Sequence, residues 1–186
     1  MATELYDKTK IRAILGLGNP GSKYYLTRHS IGFQIADVLI DQCSSSWNKN
    51  ELMEYAEISF SGDMFVPSSE RVFVIKPQTF MNSSGKVISF LLKKGIKPEE
   101  ILVIHDELEK RLGNIAISFD GSARGHNGLK SIMSVIGKEF WHLRFGIGRP
   151  ENKDDVSDYV LSVFEADEEE LLGEYIQKSV DFILQK

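Results

Sequence analysis

Cysteine occurs once in the 186 residues, as Cys43, so no internal disulfide can form and the fold needs no oxidising compartment. Glycine (15) and proline (5) are too few for a collagenous or low-complexity chain. No apolar run approaches the roughly 20 residues of a membrane span. Met1 to Arg12 is charged and lacks the apolar centre of a signal peptide. A soluble, cytoplasmic protein without a membrane partner is therefore expected. Internal repeats are missing, as is any G-x-S-x-G nucleophile elbow. The histidines His29, His105, His126 and His142 fall at no metal-ligand spacing, and there is no second cysteine, so neither a serine nucleophile nor a metal centre can be read from the sequence.

What is present is an ordinary globular composition, 42% hydrophobic and 26% charged. At this length roughly 70% of the unfolded surface can be buried. One domain over residues 1–186 is expected, with residues 1–10 as a flexible N-terminal extension. The net charge of −5 is unevenly spread, because residues 151–186 hold 3 basic and 11 acidic side chains and the rest of the chain is mildly basic. Such a body can carry a local anion-binding face that the total charge hides.

Ile11 to Leu17 reads as a buried strand stopped by Gly18-Asn19-Pro20-Gly21, with a loop to about His29. Ile31, Ile35, Val38 and Leu39 give a helical face. Ala56, Ile58 and Phe60 alternate with polar residues, and Arg71 to Lys76 is a second β-branched run. Gln78 to Gly85 forms a loop before a helix with Val87, Ile88, Leu91 and Leu92 on one face. Ile101 to Ile104 is a continuous apolar strand ending in His105-Asp106-Glu107. Ile115 to Phe119 alternates, Gly121 to Gly128 is a Gly-rich loop before a helix over Leu129 to Ile136, Leu143 to Ile147 is a strand, and Asp167 to Leu184 is a final helix. The pattern predicts an α/β domain with a mixed sheet, in which ligands bind at the carboxyl ends of strands.

Gly16 to Gly21 matches G-x-G-x-x-G after a strand, but no helix opens within the glycines and no acidic residue follows a second strand, so dinucleotide binding is not expected. His29, Asp106, Asn19, Asn82 and Asn127 instead lie in polar loops beside apolar elements. A histidine with a carboxylate can deprotonate water near neutral pH, and uncharged amides suit an ester or amide substrate. Adjacent strand residues point to opposite faces, so only one of His105 and Asp106 should face a cleft.

Gly16–Gly21 (GLGNPG) with Tyr24 and Arg28-His29, Lys76–Gly85 (KPQTFMNSSG), Ile104–Leu108 (IHDEL), Gly125–Leu129 (GHNGL) and Leu143–Gly148 (LRFGIG) together resemble the bacterial-type peptidyl-tRNA hydrolases, in that family's order. The resemblance implies a twisted mixed sheet flanked by helices, phosphorylase/hydrolase-like, acting as a monomer without metal or organic cofactor. It implies cleavage of the ester joining a peptide to the 3′ ribose of tRNA, which recycles tRNA from stalled or dropped-off translation products. His29 matches the family's catalytic base and Asp106 the carboxylate that orients it. Asn19, Asn82 and Asn127 match substrate-positioning asparagines, and Tyr24 and Met81 match positions lining the same cleft. His105 is then structural, His126 supports the loop carrying Asn127, and His142 reads as an ordinary strand-entry residue.

Some positions depart from the family. Ser30 replaces a common asparagine, Asp120 a common glycine, and Ala116 and Ser118 stand where some members carry lysines that grip the tRNA 5′ phosphate. Arg144 matches the other half of that clamp, and Arg124, Arg149 and Lys153 are candidates for the missing charge. Two other readings stand beside the hydrolase: a catalytically silent RNA-binding relative, and an esterase or amidase acting on a small metabolite.

Overall fold

The apolar runs pair into one seven-stranded sheet in the computed structural model, which describes residues 5–59 and 71–185. The strands are β1 (Ala13–Gly16), β2 (Asn48–Lys49), β3 (Met53–Ile58), β4 (Val72–Pro77), β5 (Ile101–Glu107), β6 (Ile115–Phe119) and β7 (Trp141–Gly146), in the order β2-β3-β4-β1-β5-β7-β6. The middle four, β4-β1-β5-β7, are parallel, so their carboxyl ends share one edge of the sheet. The outer pairs β2–β3, β3–β4 and β6–β7 are antiparallel. The expected α/β mixed sheet is thus observed, although Phe60 lies outside the described residues.

Alternation along the strands divides the core into two layers. Ile14, Leu102, Ile104, Leu143 and Phe145 face α2 (Ile31–Gln42) and α6 (Ala166–Leu184). Ala13, Leu15, Ile101 and Val103 face the other way, onto α3 (Ile88–Lys93) and α4 (Asn127–Ile136). Two short helices complete the fold, α1 (Ser22–Tyr25) and α5 (Val156–Val160). Neither is legible in the sequence, because a helix of one turn shows no apolar period.

Three boundaries differ from the sequence reading. Strand β5 continues past Ile104 to Glu107, since His105, Asp106 and Glu107 pair with Arg144, Phe145 and Gly146 of β7. Gln78–Gly85 is mostly a 3₁₀ segment, Met81–Val87, running straight into α3. Residues 5–10, expected as a loose extension, instead form a docked segment. The Tyr6 hydroxyl donates to the Ile183 carbonyl at 3.2 Å, Lys8 Nζ donates to the Leu184 carbonyl, and Lys8–Lys10 is a 3₁₀ turn capped by Asp7.

Helix α2 lies unusually close to the sheet, where a Cβ on Gly32 would stand 2.4 Å from the Leu17 nitrogen and 2.6 Å from the Ile104 carbonyl oxygen. Only a glycine permits this approach. It brings the start of α2, and the turn before it, against the ends of β1 and β5.

Candidate active site

A cleft of about 700 Å³ opens at the carboxyl edge of the parallel strands, lined by residues that include Asn19, His29, Met81, Asn82, Asp106 and Asn127. His29 comes from the 3₁₀ turn Arg28–Ser30 that leads into α2, and Asp106 from the end of β5. Their meeting follows from α2 packing on β1 and β5. His29 Nδ1 lies 2.8 Å from Asp106 Oδ1, and both side chains are buried. An ionised carboxylate only accepts, so Nδ1 carries the proton and the neutral ring keeps its lone pair on Nε2. Burial lowers the His29 pKa, but the charge of Asp106 and the hydrogen bond to it outweigh burial and leave the pKa above 6.5. Burial raises the Asp106 pKa, and His29 and His126 reverse this, holding the carboxyl well below its usual range.

His126 reaches the same oxygen, with Nε2 at 3.0 Å from Asp106 Oδ1. Ligand-type atoms of His29, Asp106 and His126 all lie within 4.8 Å of one another, a cluster that sequence spacing did not reveal. The proton inventory makes it a poor metal centre. His126 caps α4, its Nδ1 accepting from the Gly128 and Leu129 N–H groups at 3.1 and 3.3 Å. The proton is thereby fixed on Nε2, and a metal there would require an imidazolate. His126 is a one-way donor to Asp106 that also orients the helix start bearing Asn127.

His105 and Asp106 leave β5 on opposite faces, as alternation requires, yet both border the cleft, because loop residues 123–126 also line it beside the strand end. His105 Nδ1 donates to the Asp106 carbonyl at 2.8 Å, and its Nε2 lies 3.2 Å from His142 Nδ1. Burial, followed by neighbouring positive groups, holds His105 well below 6.5 and takes His142 to about 3. Both rings are therefore neutral near pH 7. His142, read as a plain strand-entry residue, is completely buried, and its Nε2 has no partner among the described residues.

Asn19 Oδ1 accepts the Met81 N–H at 2.8 Å, which fixes the orientation of its amide and ties the loop after β1 to the one after β4. The Asn19 N–H donates to Ser30 Oγ at 3.1 Å, so the serine found in place of asparagine links the His29 turn to Asn19. Asn82 and Asn127 line the cleft with exposed side chains. Met81 is buried in the wall, its Sδ close against Gly128. Tyr24 does not line the cleft. It stands edge-on to Phe80, with ring centroids 6.3 Å apart. Phe80 itself lines the cleft and is 62% exposed, a feature the sequence reading missed although it lies beside Met81. Val156, Ser157, Val160 and Leu161 form a further wall that was also missed, its only signal being an i, i+4 pair of valines.

The basic candidates separate. Arg144 is buried, with Nη1 donating to Glu107 Oε2 at 3.0 Å and Nε donating to Ser118 Oγ at 3.3 Å, so it is not the open phosphate grip the sequence suggested. Glu107 is just as buried, and each charge compensates the other. Arg124, whose side chain is 53% exposed, stands 3.6 Å from the same carboxylate, and Arg149 pairs with Glu109 at 2.6 Å at the cleft margin. The Lys153 side chain lies outside the described residues. Asp120 faces Lys138 at 3.4 Å, which offsets the charge it adds near this face.

Known proteins share this arrangement of chain. The family model described as peptidyl-tRNA hydrolase matches residues 13–185. A peptidyl-tRNA hydrolase of Sulfurihydrogenibium sp. is 46% identical over 176 residues, covering 94% of this chain and 89% of the relative. One from Persephonella marina is 43% identical, with the same coverage of both chains. The crystal structure of peptidyl-tRNA hydrolase from Acinetobacter baumannii superposes with a TM-score of 0.85 at 35% identity, covering 95% of this chain and 89% of that one. A match across nearly the whole chain, on a fold whose carboxyl-edge cleft gathers His29, Asp106 and the three asparagines, makes this chain a member of the peptidyl-tRNA hydrolase family.

Proposed function

We propose that the chain hydrolyses the ester between a peptide and the 3′ ribose of tRNA by general-base catalysis at His29. The observation that carries this reading is the 2.8 Å contact between His29 Nδ1 and Asp106 Oδ1, which leaves Nε2 as the free base. In this mechanism His29 Nε2 takes a proton from water as the water oxygen attacks the ester carbonyl. Asp106 stabilises the imidazolium that forms. The imidazolium then returns the proton to the departing ribose oxygen, giving free tRNA and a peptide carboxylic acid, which releases its own proton to solvent. The side-chain NH2 group of Asn19, an amide whose Oδ1 is held by the Met81 N–H, together with the side chains of Asn82 and Asn127, positions the ester and meets its developing negative charge. Met81 and Phe80 bound the peptide side.

For the RNA, we assign phosphate contacts to Arg124 and Arg149: Arg149 can leave the exposed Glu109 at low cost, and Arg124 can leave Glu107 because Arg144 still neutralises that buried carboxylate. Arg144 holds Glu107, which in turn holds Arg124. One chain supplies every group named, so a monomer suffices. No helix among the described residues is long and apolar enough to cross a membrane, and the reading places the protein in the cytoplasm with its tRNA substrate.

The deciding experiment compares turnover of peptidyl-tRNA with that of a short N-acyl-aminoacyl nucleotide, for the native chain and for His29→Ala. Loss of about 10²–10⁴-fold is expected in the variant, with tRNA affinity unchanged. Absence of turnover in the native chain would favour a silent RNA binder. Equal turnover of both substrates would favour a small-ester hydrolase.

A further inference from the structure

Arg28 precedes the base in sequence and is 2% exposed, heading the fully buried side chains in volume. Arginine is almost never so buried unless paired. Its Nη2 donates to Glu168 Oε2 at 2.6 Å, and its guanidinium carbon lies 4.4 Å from the Tyr159 ring centroid and 4.8 Å from that of Phe164. Nε and Nη1 find no hydrogen-bond partner among the described residues, so the two aromatic rings supply the remaining attraction to the cation.

The three partners lie on one stretch of chain. Tyr159 belongs to α5, Phe164 to the link after it, and Glu168 to the first turn of α6, where its carboxylate also accepts the Glu165 N–H at 2.8 Å. The backbone reinforces the join, as Arg28 N–H donates to the Ser162 carbonyl at 3.0 Å and Thr27 bridges Val163. This stretch also walls the cleft. Val156, Ser157, Val160 and Leu161 line it, while Tyr159 turns onto Arg28 and donates its hydroxyl to the Ile147 carbonyl at 2.5 Å.

We propose that Arg28 is a positioning residue that locks the α5 wall of the cleft to the turn bearing His29, so that an acyl group held against Val156, Val160 and Leu161 meets the base in one fixed geometry. The proposal rests on His29 being the base. A buried ion pair is a poor source of net stability, since apolar residues in place of both partners often serve a fold as well or better. Apolar contacts are non-directional, however. A planar cation held by one carboxylate and two rings admits a single arrangement of wall and turn, and a shift of about 1 Å at a reacting centre can cost about 10²-fold in rate.

The test is Arg28→Met, assayed well below its melting temperature on peptidyl-tRNA and on the N-acyl-aminoacyl nucleotide. Expected are a fall in kcat of about 10-fold or more on both substrates, a KM for peptidyl-tRNA within about 2-fold of native, and a lower melting temperature, because Glu168 is left without its cation. Glu168→Gln and Tyr159→Leu, each of which removes one anchor, should lower kcat in the same direction by less. Native kcat in Arg28→Met, or a loss confined to KM or to melting temperature, overturns the proposal. Should Arg28→Met fail to fold, native kcat in both anchor variants overturns it equally. Inactive His29→Ala beside fully active Arg28→Met would sink this inference alone, whereas active His29→Ala would sink the base assignment.

Discussion

Asp106 Oδ1 receives hydrogen bonds from two imidazoles at once, at 2.8 Å from His29 and 3.0 Å from His126, and of these two only the His29 ring keeps a lone pair without a partner among the described residues. The His126 lone pair is spent on the first turn of α4. The cap on α4 thus separates two chemically identical rings that share one carboxylate into the proposed base and a fixed donor.

As the proposed base, His29 must be neutral to act, and its pKa is raised, so kcat/KM should rise with pH along a limb whose midpoint lies above 6.5. Activity is lost as pH falls below that midpoint. In Asp106→Asn the charge that raises the pKa is gone while burial still lowers it, so the limb should move to lower pH as the maximal rate drops. A pH–rate profile of both proteins checks this, and an unmoved limb would assign the titration to another group.

His126→Ala removes a helix cap and one donor to Asp106. Loss of an N-cap costs about 1 kcal/mol, within a range of about 0.5–2, and the catalytic loss should be smaller than that of His29→Ala because Nε2 of His29 remains. His126→Asn, which can still cap, should recover most of the stability but little of the rate. Denaturant melts and single-turnover rates on the pair separate the two roles.

Arg144→Ala leaves the buried Glu107 with only the half-exposed Arg124 at 3.6 Å as its cationic partner, so it should destabilise the fold by up to about 3 kcal/mol. Arg124→Ala should leave stability near native while weakening tRNA binding and making its salt dependence shallower by about 0.7 in log–log slope per lost phosphate contact. Filter binding across a salt series reads both. A native slope in Arg124→Ala would move the phosphate contact elsewhere.

Gly32→Ala places a methyl group within 2.4–2.6 Å of backbone atoms of Leu17 and Ile104, which cannot move aside as a side-chain tip could. Overpacking of this kind costs about 1–3 kcal/mol. Because the same helix start carries the His29 turn, turnover should fall together with the melting temperature, and a variant with native values of both would refute the close-approach account.

The sequence by itself determined the alternation of strands and helices, because apolar period is a local property, and its ordered motifs from GLGNPG to LRFGIG carried the family. It also placed His29, Asp106 and the asparagines at the ends of elements, where a parallel sheet gathers its loops. Only the tertiary structure decided which ring meets which carboxylate. His29 and Asp106 are 77 residues apart, Arg28 and Glu168 are 140 apart, and their contacts arise from helix crossovers with no local signature. Arg144 illustrates the limit: its motif suggested an open grip on phosphate, yet pairing of β5 with β7 sets it directly beside the end of β5, where burial favours Glu107 as its partner. Charge is written in the sequence, but whether a charge faces solvent or another charge is settled by packing.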